Sequence, residues 1–223
     1  MASQASRKVV QLSETLTHKL NWYALAAMTA SVSALAITPS AEAKIIYTKT
    51  NIRFEAECFL DLNNDYQDEF LLTFFSTSSG PAMRGWGLVN TKNVMVGYRK
   101  GWAAAFPAGR RIPRSGKVYG GFMALWGIPP TGEWAGKNGH GLKKPHYLGL
   151  KFVLNGKIHY GWARLTTHNS YPFPTATLLG YAYETVPKKP IITGKTQGPD
   201  VVTVPMDKAG TLGYLALGRT SCQ

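Results

Sequence analysis

Residues 61–70, DLNNDYQDEF, carry the densest group of hard oxygen donors in the chain. Asp61, Asn63 and Asp65 stand at alternate positions, and Asp68 or Glu69 could close the set. Alternating carboxylate and amide oxygens wrap Ca²⁺, which takes about six to eight oxygen ligands. Tyr66 stands where an EF-hand-like loop has the glycine of its sharp turn. The same residue types also make Asx turns, which use Asp and Asn to bind nearby backbone N–H groups and need no metal. Both readings predict a tight loop between two strands, and only the first predicts calcium as a cofactor.

A second chemistry lies in the basic loops. Arg110, Arg111 and Arg114 cluster around Pro107 and Pro113, and Lys137, Lys143 and Lys144 cluster in Gly-rich sequence. Trp86, Trp102, Trp126 and Trp134 are interleaved with them. Aromatic rings beside Lys and Arg can stack on sugars while the cations hold acidic groups. If the two loops meet at one end of the fold, Trp102 and Trp134 fall inside a rim made by Arg110, Arg111, Arg114, Lys143 and Lys144. The expected partner is then an acidic polysaccharide or cell-surface glycan. A loop Trp can equally serve to pin its loop onto the core.

Signs of catalysis are few. His140, His146, His159 and His168 lack the close pair spacing of a zinc site. Ser79-Gly80 and Ser115-Gly116 lack the strand–elbow–helix context of a hydrolase nucleophile. Glu57, Glu133 and Glu184 could supply a glycosidase pair, but nothing in the chain order pairs any two. The sequence predicts a protein that is not an enzyme.

These residues must be placed by the chain around them. Arg7, Lys8 and Lys19 precede an uncharged apolar run, Trp22 to Thr38, and Ala41-x-Ala43 follows. This order predicts a signal peptide over 1–43, cut after Ala43, and export to the cell surface or beyond. The apolar run is shorter than the ~20 residues a membrane span needs, so no transmembrane span is expected in the mature chain. The whole chain of 223 residues carries +13. Segment 1–43 holds three basic and two acidic residues, which leaves +12 on the rest. Such a charge favours polyanions; outside the cytoplasm, nucleic acid is not an expected one. Export also permits a disulfide between the two cysteines, Cys58 and Cys222, without requiring it.

The clearest local signal is Tyr147 to Thr167, YLGLKFVLNGKIHYGWARLTT. Asn155-Gly156 suits a two-residue type I′ turn, because both central residues need positive φ. Leu148, Leu150, Phe152 and Leu154 alternate before it, and Ile158, Tyr160, Trp162 and Arg164 after it. That period predicts a hairpin with one mostly apolar face on a core. Strands are also expected at 44–50, 52–60, 70–75, 87–89, 94–98, 118–125 and 176–185. In the second of these, Ile52, Phe54, Ala56, Cys58 and Leu60 fall on one face. Gly and Pro break every candidate helix. The expected architecture is mainly β, an antiparallel two-sheet sandwich of jelly-roll or lectin-like type. Residues 44–194 form its domain, and 195–223 a linker and short apolar tail.

HYGWARL (159–165) and GYAYETVPKKPIITG (180–194) resemble the C-terminal half of secreted PEP-CTERM-like proteins of Gram-negative bacteria. Tyr147-Leu148-Gly149 with Phe152, His159 to Trp162, Ala182 to Glu184 and Pro187 to Gly194 carry the resemblance. DLNNDYQDEF is similar to the DLNxDGxxDF loop of such chains. Val204-Pro205 and TLGYLALG (211–218) resemble the start of their C-terminal signal, but only Arg219 and then Thr220 to Gln223 follow, in place of a basic cluster. The resemblance implies export and no particular activity. Three functions follow from these residues: a structural or adhesive protein of the envelope or matrix, a carbohydrate-binding module for acidic glycans, and a secreted hydrolase.

Overall fold

The computed structural model describes residues 43–97, 101–112, 121–170 and 173–204. The proposed leader up to Glu42, Arg114, the apolar tail and Cys222 lie outside the described residues. The chain divides into two compact units between Glu42 and Ala43. In chain order the strands are β1 (Ile45–Phe54), β2 (Glu57–Leu60), β3 (Phe70–Thr77), β4 (Gly80–Gly87), β5 (Val94–Met95) and β6 (Ala105–Phe106). They continue with β7 (Gly121–Leu125), β8 (His146–Leu154), β9 (Lys157–His168), β10 (Thr175–Glu184) and β11 (Val201–Val204). A single 3-10 turn, Glu133–Ala135, is the one helical element among the described residues.

The strands form two sheets. The large sheet runs β11-β1-β10-β9-β8-β5, with β6 also pairing β8. The small sheet runs β2-β3-β4-β7. All pairs are antiparallel except β1 with β11. Side chains from both sheets share one core that includes Phe54, Leu60, Phe70, Leu72, Met83, Leu148, Phe152 and Leu178. The protein is thus a mainly-β two-sheet sandwich, as its alternation predicts.

The Asn155–Gly156 turn forms with φ of +50° and +73°, and Leu154 pairs with Lys157 across it. The hairpin differs from expectation in having two buried faces. Leu148, Leu150 and Phe152 enter the core between the sheets. Tyr147, Tyr160 and Trp162 point outward into a second core with Tyr47, Val96, Phe106, Ile112 and Ile191. Two segments of poor strand character roof this face. Ile112 N–H donates to the Ile191 carbonyl at 2.8 Å, Thr193 N–H to Arg110 at 2.8 Å, and Gly109 N–H to Thr193 at 2.9 Å. Gly149 lies under the roof, where a Cβ would sit 2.9 Å from Ile112 Cδ1.

Two other boundaries move. The predicted strand 52–60 is split: Ile52–Phe54 finish β1 in the large sheet, after a bulge between Lys49 and Ile52, and Glu57–Leu60 form β2 in the small one. Phe54, Cys58 and Leu60 are buried as the alternation requires, but Ala56 is exposed at the corner where the chain changes sheet. The stretch after Gly194 reads as linker because it is rich in Gly and polar residues. Within it, Val201–Val204 pair parallel with Ile45–Thr48 as β11, and Gly198 opens the turn that leads into this strand, its carbonyl accepting the Val201 N–H at 3.0 Å.

Candidate functional site

The loop between β2 and β3 is built around the Asp61 carboxylate. Its Oδ1 accepts the N–H groups of Asn63 (3.2 Å), Asn64 (2.7 Å) and Asp65 (3.3 Å), and its Oδ2 that of Tyr66 (2.8 Å). These bonds curl the chain, and Asn64 and Tyr66 take φ of +58° and +67°. Tyr66 itself thus makes the left-handed turn for which glycine is the usual choice. Glu69 closes the loop by accepting the Leu62 N–H at 2.7 Å. Asp65 accepts from Gln67 N–H at 2.9 Å and from the Asn63 amide at 2.9 Å.

The fold brings Asp61, Asp65 and Glu69 together, with one carboxylate oxygen of each within 4.8 Å of the others, a group that could hold a metal ion. Asp68, the alternative closing ligand, is buried and is not one of the three. Asn63 turns its amide onto Asp65. Burial pushes the Asp61 carboxyl up, against the pull of its backbone hydrogen bonds. Burial, with the Asp61 and Asp65 charges, pushes Glu69 up to about 8. Neighbouring Tyr181 on β10 is pushed up to about 12, again chiefly by burial. A cavity of about 170 Å³ lies beside the loop, lined by Asp65, Gln67, Glu69, Asn93 and Asn155 among others.

A larger cavity, about 510 Å³, lies beside Lys137 of the second basic loop. Trp102 forms one wall and Ala103–Ala105 continue it; Thr131, Gly132, Glu133, Gly136, Lys137, Leu142 and His146 complete the lining. Ala103 is buried in the core between the sheets and Ala104 in the second core, while Ala105 is half-buried. Glu133 Oε2 accepts the Ala105 N–H at 2.8 Å and ties the two walls together. His146 Nδ1 donates to the Lys144 carbonyl at 2.9 Å. Trp102 is half-buried and packs on Phe122 with ring centroids 5.6 Å apart. Gly132 admits the indole: a Cβ there would lie 2.5 Å from Trp102 Cζ3.

The remaining predicted residues distribute differently. Trp134 is fully buried in the inter-sheet core, so it pins the 3-10 turn and offers no ring to a sugar. Arg110 and Arg111 are exposed on the roof of the large sheet, where Arg111 bridges to Ile192. Lys143 and Lys144 are exposed. None of these four lines the large cavity among the described residues, whereas Lys137 does. Cys58 is fully buried and is not a free thiol.

Of the carboxylates considered for catalysis, Glu184 is ion-paired with Lys189 at 2.9 Å and accepts the Val186 N–H at 3.0 Å. Glu133 alone of Glu57, Glu133 and Glu184 lines the cavity. His159 is buried, with Nδ1 donating to the Glu184 carbonyl at 2.9 Å, a bond that ties β9 to the exit of β10.

Sequence reasoning passed over Arg84. Its guanidinium carbon lies 3.4 Å from the Trp86 ring centroid and 5.0 Å from that of Phe122. The available signal was a lone Arg two residues before Trp86 in a strand with glycine at every second position from Gly85 on.

No family model matches the chain, no curated protein matches it, and no solved structure does.

Proposed function

We propose that the protein is exported, is not catalytic, and binds acidic polysaccharide in an adhesive role at the cell envelope or in the matrix around it. The observation that carries this reading is the 510 Å³ cavity, which brings Trp102 together with Lys137 of the second basic loop. Its volume lies in the range of small-ligand sites, which run from about 300 to 1,000 Å³. A sugar ring laid against Trp102 exposes its apolar C–H face to the indole. A uronate carboxylate within reach of Lys137 would form a charge-assisted bond. The +12 left on the chain after Ala43 attracts such a polymer at long range. The apolar leader and its Ala41-x-Ala43 site support export.

Retention on a polyuronate column tests the reading. The parent protein should bind at low salt and keep part of its binding at high salt, with Trp102→Ala removing the salt-resistant part and Lys137→Ala the salt-sensitive part. No retention at low salt would overturn it.

The acidic loop supports a second, separate reading: calcium at Asp61, Asp65 and Glu69. The three convergent oxygens favour it. Extracellular loops of this kind bind at roughly 10⁻⁴–10⁻³ M, so millimolar calcium should stabilise the fold by about 1 kcal/mol. Calorimetry with the parent and the Asp61→Ala/Asp65→Ala double variant checks this, and equal heats from the two proteins would refute it.

A further inference from the structure

We infer that the outward face of the small sheet is an extension of the Trp102 cavity and holds the acidic polymer through Arg84. The inference rests on the cavity reading and names what lies beyond it. Four side chains form an unbroken row. Trp102 packs on Phe122 at 5.6 Å; Arg84 lies over Phe122 at 5.0 Å and over Trp86 at 3.4 Å. Strand register explains the row. Arg84 pairs with Phe122 across β4 and β7, and Leu71 pairs with Trp86 across β3 and β4. Gly85, between Arg84 and Trp86, faces inward, where a Cβ would meet Met95. Arg84 and Trp86 therefore share the outward face.

The state of Arg84 identifies the occupant. A guanidinium held between two ring faces has its planar surfaces satisfied and its edge left for hydrogen bonds. Its Nε is buried with no hydrogen-bond partner, which leaves the Nη groups as the edge that can meet a ligand, and no carboxylate pairs with the guanidinium among the described residues. An unpaired cation set among aromatic rings, with Trp86 43% exposed, is complementary to a ligand that has both an apolar ring face and a carboxylate. A uronate unit has both. A neutral glycan lacks the anion, and a simple anion lacks the ring face. The row is longer than one ring, so the fitting ligand is a chain of uronate units that crosses from the cavity to Trp86.

Chain length separates this face from the cavity. Titration with oligogalacturonates from dimer to octamer, followed by calorimetry, should show affinity rising with length and then levelling. Arg84→Gln and Trp86→Ala should bind the dimer as the parent does and lose roughly tenfold for the hexamer, the worth of one charge-assisted hydrogen bond. Melting curves of the same variants should show the same cooperative unfolding, at most slightly below the parent. Hexamer binding untouched by Arg84→Gln and Trp86→Ala, with Trp102→Ala losing the dimer, would overturn the extension and leave the cavity reading standing. Hexamer binding lost in Arg84→Gln with Trp102→Ala harmless would instead overturn the cavity reading and the continuity inferred here. A parent chain that binds no oligogalacturonate of any length would overturn both.

Discussion

The outward face of the large sheet carries Tyr47, Tyr147, Tyr160 and Trp162, and all four are buried. The outward face of the small sheet carries Phe75, Trp86 and Phe122; none is buried, and Trp86 is 43% exposed. The difference lies in what the chain lays over each sheet. The segments around Ile112 and Ile191 pair with one another over the large sheet, and Trp162 sits beneath them, edge-on to Tyr147 at 5.2 Å. An aromatic side chain buries about 150–250 Å², at roughly 25 cal/mol per Å². A roof over Trp86 would therefore add stability that this fold does without. One face is finished as structure, and the other keeps its rings and its unpaired Arg84 available.

The strongest way to break this comparison is to truncate one tryptophan on each face. Trp162→Ala empties a fully buried site and should cost about 3–5 kcal/mol. Trp86→Ala should cost no more than about 1 kcal/mol, the worth of a partly exposed ring against a guanidinium. Denaturant melts of the two variants decide it; if Trp86→Ala costs as much as Trp162→Ala, the small sheet's outward face is also structural.

The next largest effect sharpens the contrast at the loop that joins β2 and β3 of the small sheet. Glu69 has its folded-state pKa pushed from 4.5 up to about 8. A carboxyl with a raised folded-state pKa keeps its proton better folded than unfolded. Its contribution is therefore most favourable below the unfolded value, and it declines as pH rises from about 4.5 to about 8. At about 1.4 kcal/mol per unit, the loss across that window is at most about 5 kcal/mol. Stability should fall between pH 5 and pH 8.5, and Glu69→Gln should flatten the profile. The Asp61 shift, of the same sign, leaves a smaller residual slope in that variant. A pH profile unchanged by Glu69→Gln would show that Glu69 meets no such penalty.

A smaller effect tests how closely the roof sits. Gly149→Ala places a Cβ 2.9 Å from Ile112 Cδ1 and 3.1 Å from Phe106 Cε2 and Val96 Cβ, which should cost about 1–3 kcal/mol through overpacking. Thr73→Val on the small sheet's outward face should be within about 0.5 kcal/mol. Equal melting temperatures for Gly149→Ala and the parent would mean that the roof yields freely.

These contrasts mark what could be read from sequence. Local signals were legible: Asn155-Gly156 dictates its own turn, and Asp61 with its neighbours dictates a curled loop. The two-sheet sandwich followed from period-two alternation. The roof was not legible, because residues 107–112 and 190–194 have no alternation; they are ordered by the face they cover, which is a tertiary fact. For the same reason Trp134 reads as a loop aromatic beside glycine and is in the core, and Lys137 reads like Lys143 although, of the two, Lys137 lines the cavity. Residue type announces what a side chain could bind, whereas exposure and convergence depend on the fold.

The smallest effect concerns the arginines that sequence reading placed at the site. Arg110 and Arg111 stand on the roof of the large sheet, exposed and away from the cavity lining. Surface charges so placed attract a polyanion only through the long-range field, and that attraction weakens as the Debye length shrinks from about 10 Å at 0.1 M salt to about 3 Å at 1 M. The Arg110→Ala/Arg111→Ala double variant should therefore melt with the parent and elute from a polyuronate column slightly earlier at low salt. At high salt its elution should coincide with the parent's, because the proposed salt-resistant contacts are those of Trp102 and the small sheet's rings. Lys137→Ala removes a single charge against the pair's two, so a field effect alone would make it the weaker change. A cavity contact makes it the stronger one, since the lysine meets the carboxylate at short range. Comparing the two elution shifts at equal ionic strength separates a built site from a merely basic surface: the cavity predicts that one lysine outweighs two arginines, and the reverse order would reduce the binding to charge alone.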